Sequence, residues 1–188
     1  MNEKVIRPPK YLSPIGSPLI FLAGPIQGAK NWQDKAIKLI HNIDPDLYIA
    51  CPRRNRRKKG KFTQEMYNEQ VDWETFHLAE SGEDGTVLFW LAKEHEHTCR
   101  RAYAQTSRFE LSEWKMKHQI YASKLVIGIE DGFTGEKYIR RRCSQDCQDV
   151  PIYSTLEETC AEAARLARKP YTLKDLLIRS LISALGKK

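Results

Sequence analysis

Two carboxylates and their neighbours carry the clearest chemical potential in this sequence. In Thr106-Ser107-Arg108-Phe109-Glu110-Leu111-Ser112-Glu113-Trp114, a helix capped by Thr106 or Ser107 would hold Glu110 in its first turn. There the helix dipole favours an ionised carboxylate. Such a group either completes a capping box or acts as a nucleophile at an anomeric carbon. In Gln70-Val71-Asp72-Trp73-Glu74, Gln70 and Glu74 lie one helical turn apart and share a face. With Trp73 beside them they could offer hydrogen-bonding groups and a ring to a base; the alternative is an amphipathic helix with a half-buried tryptophan.

The stretch Phe21-Leu22-Ala23-Gly24-Pro25-Ile26-Gln27-Gly28 places glycines where a strand meets a helix. Glycine there lets the backbone approach a ligand, and a helix N-terminus favours anions. A tight structural turn is the other reading. The pattern is not the dinucleotide G-x-G-x-x-G, so no such cofactor is expected. Arg53, Arg54 and Arg108 could grip a 5′-phosphate with paired hydrogen bonds. His95, His97 and Cys99 alternate, and Cys143 and Cys147 lie four apart. Structural zinc uses tighter cysteine pairs, so no metal is expected.

The elements that would position these groups alternate between strand and helix. Pro18 to Ala23, Leu47 to Cys51, Thr86 to Ala92, Lys124 to Ile129 and Val150 to Ser154 read as strands. Asn31, Thr63, Thr106 or Ser107, Thr155 and Thr172 open helices between and after them. Ser81 to Gly85 reads as a break, His95 to Ala104 as a loop, and Glu130 to Asp149 as irregular chain. Residues 1–17 read as an arm, 18–169 as one α/β domain and 170–188 as a C-terminal helix. Alternating elements imply a Rossmann-like parallel sheet with helices on both faces, binding ligands beyond the carboxyl ends of its strands.

The chain of 188 residues suits one decorated domain, and its 41% hydrophobic and 29% charged content is ordinary for a globular protein. Lys4, Arg7 and Lys10 precede the apolar run Pro18 to Ile26, but Gly24 and Pro25 break that run, so a first strand is expected rather than a signal peptide. No membrane span is expected. Five cysteines without a disulfide framework point to a reducing cytoplasmic compartment. The net charge of +7 favours anionic partners. Much of it is one run, Arg53, Arg54, Arg56, Arg57, Lys58, Lys59 and Lys61. That run lacks interleaved aromatic side chains, so no dedicated nucleic-acid site is expected.

Taken in order, FLAGPI followed by Trp32, Pro52-Arg53-Arg54, Glu69-Gln70-Val71-Asp72-Trp73-Glu74, Asp84 before VLFWL, and TSRFELSEW resemble the nucleoside 2-deoxyribosyltransferase-like family. The likeness covers Leu19 to Ile129. It implies a flavodoxin-like fold of five parallel strands and cleavage or transfer at C1′ of a nucleoside or nucleotide. It implies Glu110 as nucleophile, Asp84 orienting the substrate, Gly24 and Pro25 beneath the sugar, and a proton donor for the departing base, for which Glu74 and Asp84 are the candidates. By the same likeness Gln70, Trp73 and Glu74 face the site, and Gln27, Arg53, Trp90, Ser107 and Arg108 are further candidate substrate-binding residues. It requires no cofactor and implies a homo-oligomer. The sequence departs from the family pattern at Ala104, where the best-known transferases carry a proton-handling aspartate, and at Ser112, often glycine. Those departures imply hydrolysis or an anionic nucleotide substrate rather than free base exchange. A non-catalytic nucleotide-binding module is the alternative, and a nucleic-acid-binding protein a weaker one.

Overall fold

The computed structural model describes residues 3–12, 15–16, 18–55, 63–97 and 102–185. Among them, β1 (Val5–Ile6), β2 (Leu19–Ala23), β3 (Tyr48–Ala50), β4 (Gly85–Leu91), β5 (Leu125–Ile129) and β6 (Ile152–Tyr153) form one parallel sheet. The order is β1-β3-β2-β4-β5-β6. The sheet therefore has six strands rather than the expected five. The additional one comes from the N-terminal arm, where Val5 and Ile6 pair with Ile49 and Ala50 along the edge of β3. Two residues are too few to show a period, so this strand left no pattern in the sequence. Without β1, the order is the 2-1-3-4-5 of doubly wound sheets, compatible with a flavodoxin-like arrangement.

Each long strand is buried on both faces, which explains why it reads as a continuous apolar run. In β2, Leu19, Phe21 and Ala23 enter one core while Ile20 and Leu22 enter the other. In β4, Val87, Phe89 and Leu91 alternate with Leu88 and Trp90 in the same way. Helices α1 (Gln33–Ile43) and α5 (Leu156–Arg168) cover one face. Helices α2 (Gln64–Asp84), α3 (Gln105–Tyr121) and α4 (Glu136–Asp146) cover the other.

Most helix starts follow the expected capping chemistry. The Asn31 side chain accepts from the Asp34 N–H at 3.3 Å, Thr63 from Met66 at 3.2 Å and Thr155 from Glu158 at 3.2 Å. Thr172 and Asp175 cap α6 (Leu173–Leu185) reciprocally, at 2.9 and 3.3 Å. Three expectations are corrected. Neither Thr106 nor Ser107 caps α3, which starts after Ala104 in a left-handed conformation with φ 55°. The segment read as irregular contains α4, whose exposed and charged surface buries only Cys143 and so carries little apolar period. Ser81 to Asp84 are the last turn of α2 rather than a break, and Gly85 begins β4 directly.

Helix α2 lies over β2 and β4, and α3 lies over β4 and β5. Both begin at the carboxyl edge of the sheet, because each runs back to feed the amino end of the next strand. Helix α6 packs on α3, anchored by Arg179, which donates to the carbonyls of Gly82, Tyr121 and Glu83 at 3.3, 3.3 and 3.2 Å. Its Leu173, Leu176, Leu177 and Leu181 point to solvent. Among the described residues, no helix is long and apolar enough to cross a membrane.

Candidate active site

The strand order reverses direction between β2 and β4, and the crevice beyond their carboxyl ends is where such sheets bind ligands. Hydrogen bonds between loops build its rim. The N–H groups of His95 and Glu96 donate to the Gly28 carbonyl at 2.7 and 3.1 Å. Tyr103 is buried beneath them, and its hydroxyl donates to the Ala92 carbonyl at 2.7 Å. Glu130 closes the next loop, accepting from the Lys93 N–H at 2.9 Å. The carboxyl-end rule points to the stretches 92–108 and 130–135 that hold Tyr103 and Glu130 without singling out either; an aromatic residue isolated in a polar loop was the available signal for the first.

Gly24 is held at φ 142°, and a Cβ there would lie 2.2 Å from the Trp90 carbonyl oxygen. The next carbonyl, of Pro25, accepts from Trp32 Nε1 at 2.9 Å and Gln33 Nε2 at 3.4 Å. The turn is thus locked against both its neighbouring strand and α1. Gly24→Ala is expected to cost about 2 kcal/mol or more, as strained backbone does. Urea denaturation checks this, and unchanged stability would show that the turn relaxes freely.

Glu74 on α2 and Glu110 on α3 are brought within electrostatic reach of one another. Burial pushes the Glu110 carboxyl up to about 8, with the Glu74 and Glu113 charges adding to the effect. Burial also raises Glu74, opposed by a hydrogen bond from Gln70 and by the Arg54 charge. Glu110 lies in the second turn of α3, since the helix begins at Gln105. The expectation of a first-turn carboxylate kept ionised by the helix dipole is therefore corrected: at neutral pH Glu110 retains its proton.

The Gln70 face of α2 belongs to this pair. Gln70 Nε2 donates to Glu74 Oε1 at 2.7 Å and to the Pro52 carbonyl at 3.0 Å. Arg54 Nε donates to Gln70 Oε1 at 2.9 Å, and its Nη2 to Glu69 Oε2 at 2.6 Å.

Other expected site residues lie elsewhere. Asp84 ends α2 at the amino edge of the sheet, exposed and in electrostatic contact with Lys124 and Tyr171. The helix is longer than its apolar positions suggested, and its last turn carries Asp84 away from the pair. Trp73 is fully buried in the core, donating from Nε1 to the Lys10 carbonyl at 2.7 Å, with its ring 4.1 Å from that of His77. It presents no ring to a ligand. Trp90 is buried on the opposite sheet face, against Gly128. Adjacent residues of a strand point to opposite faces, so this tryptophan fills the core beneath α1 and α5.

Ser107 is buried in the first turn of α3. Gln27 is exposed on the rim loop. The arginines expected to grip phosphate hold loops together. Arg53 Nε donates to Gln33 Oε1 at 2.8 Å and its Nη2 to the Ile26 carbonyl at 3.1 Å. Arg108 Nη2 donates to the Thr134 carbonyl at 2.6 Å, and its guanidinium lies 4.6 Å above the Phe133 ring.

His95 and His97 are exposed, and His97 bonds Glu94 at 2.6 Å. Cys143 and Cys147 are buried in the core. Cys99, Arg56, Arg57, Lys58, Lys59 and Lys61 lie outside the described residues. Among the described residues, no three His, Cys, Asp or Glu side chains are grouped to hold a metal ion. No protein-family model matches the chain, and no curated protein matches it.

Proposed function

We propose that the chain cleaves or transfers at the N-glycosidic bond of a nucleoside or nucleotide, with Glu110 as nucleophile and Glu74 as proton donor and acceptor. The observation that carries this reading is the pair itself: two carboxyls on neighbouring helices, both raised by burial, near the carboxyl edge of a parallel sheet. Like charges in one site resist joint ionisation, and the mechanism uses the singly protonated pair. The flavodoxin-like arrangement and the resemblance to nucleoside 2-deoxyribosyltransferases support the same reading.

The chemistry balances with one proton. It passes from Glu110 to Glu74 when the sugar binds, because positive charge developing at C1′ favours a carboxylate beside it. Glu110 then attacks C1′, the C1′–N bond breaks, and Glu74 gives its proton to the departing base. This leaves a glycosyl ester on Glu110 and a carboxylate on Glu74. Water, deprotonated by Glu74, opens the ester at C1′, releasing the sugar and restoring the pair. An acceptor base losing its proton to Glu74 completes transfer instead.

Because Arg53, Arg54 and Arg108 are engaged with the protein, they offer a 5′-phosphate less than their sequence positions suggested. Hydrolysis of an unphosphorylated nucleoside is therefore the favoured activity. Incubation with a panel of nucleosides and their monophosphates, followed by chromatography for free base, tests the reading. Release of base is expected; no release from any member would remove it.

The outward leucines of α6 support self-association, since Leu173, Leu177 and Leu181 form one stripe four residues apart. The Leu185 side chain lies outside the described ones. Light scattering should give a homo-oligomer at micromolar concentration, and Leu177→Glu should return it to monomer. A wild-type monomer would contradict this.

A further inference from the structure

Arg54 and Gln70 are natural candidates for reading a phosphate and a base, yet their polar atoms are directed at other protein groups. An arginine only donates hydrogen bonds, so the Gln70 oxygen must be the atom facing Arg54 Nε, 2.9 Å away. That fixes the amide. Its nitrogen must then face Glu74 Oε1 at 2.7 Å and the Pro52 carbonyl at 3.0 Å. Both amide protons and one lone pair of Gln70 are thereby used within the protein. The Arg54 guanidinium is held in turn by Glu69 Oε2 at 2.6 Å, and the Arg54 side chain is only 16% exposed. Glu74 is fixed through Oε1, and no hydrogen bond to Oε2 forms among the described residues.

We propose that Arg54 and Gln70 are positioning residues: a relay from the loop after β3 that fixes one oxygen of Glu74 and directs the other to Glu110 and the substrate. The relay rests on the reading of Glu74 as the proton-handling carboxyl, and it assigns Gln70 a role other than contact with the base. Both members favour a charged Glu74, Gln70 by donating to it and Arg54 by its positive charge. Among the described residues, Glu69 pairs with Arg54 and the Glu113 charge reaches Glu110. Gln70 and Arg54 therefore both oppose the rise that burial imposes on Glu74.

Carboxyl-carbon NMR titration of the substrate-free protein tests this independently of any activity. Signals of the two carboxyls are identified by their loss in Glu74→Gln and Glu110→Gln. Gln70→Leu and Arg54→Met should each raise the Glu74 titration by about one pH unit. In Gln70→Leu, Glu110 should move less than Glu74, because Gln70 bonds Glu74 and not Glu110. Arg54→Lys, which keeps the charge without the planar fork, should restore part of the Glu74 value. A variant that only loosened packing would hydrate both carboxyls and lower both titrations together. Unchanged titration of Glu74 in Gln70→Leu and Arg54→Met would overturn the relay. Absence of base release by the wild-type protein, with the titrations as expected, would instead remove the glycosidic reading and leave the relay standing.

Discussion

Glu110→Gln should reduce base release by on the order of 10⁴-fold, as loss of a covalent nucleophile does. The amide matches the shape of a protonated carboxyl but cannot form the glycosyl ester. The fold should survive, since Glu110 already holds its proton at neutral pH and gives its charge to no ion pair among the described residues. The same variant has a signature in stability. In the folded protein the Glu110 carboxyl titrates at about 8, against an ordinary value of 4.5. Its folded value is raised, so its contribution to stability is fully present below the unfolded value and is lost as pH rises through the folded one. The wild-type melting temperature should therefore fall between about pH 5 and about pH 9, and that of Glu110→Gln should fall less. Circular dichroism melts across this range decide it. Parallel curves would mean that Glu110 titrates normally.

Glu74→Gln should slow release of ordinary bases by about 10²–10⁴-fold, the usual range for general acid catalysis. A base able to leave without a proton should depart at close to the wild-type rate. The pH profile should change shape as well. In the wild type the singly protonated pair is the active form, so kcat/KM should rise through the lower of two macroscopic values and fall through the upper. The upper value lies at about 8. Neutralising Glu74 removes the largest charge opposing ionisation of Glu110. The variant should therefore lose the alkaline fall and show one rising limb, centred below the wild-type upper value. A profile that kept its alkaline fall would transfer the proton-handling role to another group.

Much of the scaffold was readable because burial on both sheet faces demands unbroken apolar strands, as LIFLA and VLFWL show. The helix starts at Thr63, Thr155 and Thr172 were readable from local capping chemistry. Helix α4 was not, because its charged surface rests on the domain through little more than Cys143. The strand β1 was not, because its pairing is supplied by β3 rather than by its own residues. Within the site, Gln70 and Glu74 were correctly placed on one face, and that same spacing puts Trp73 and His77 together in the core. Asp84 misled because its helix continues a full turn past the apolar positions that suggested an end. The environment of Glu110 was beyond local reading altogether: its proton is held by burial and by Glu74, on a different helix.

Formation of a glycosyl ester on Glu110 is the central claim, and peptide mass spectrometry after rapid acid quench tests it most directly. The probe is a 2′-fluoro nucleoside, whose electron-withdrawing substituent disfavours positive charge at C1′ and so slows opening of the ester by water. The wild-type protein should gain the mass of one fluorinated sugar on the peptide containing Glu110, and Glu110→Gln should gain none. Base release by the wild-type protein with no sugar on Glu110, or with the sugar on Glu74, would contradict the account.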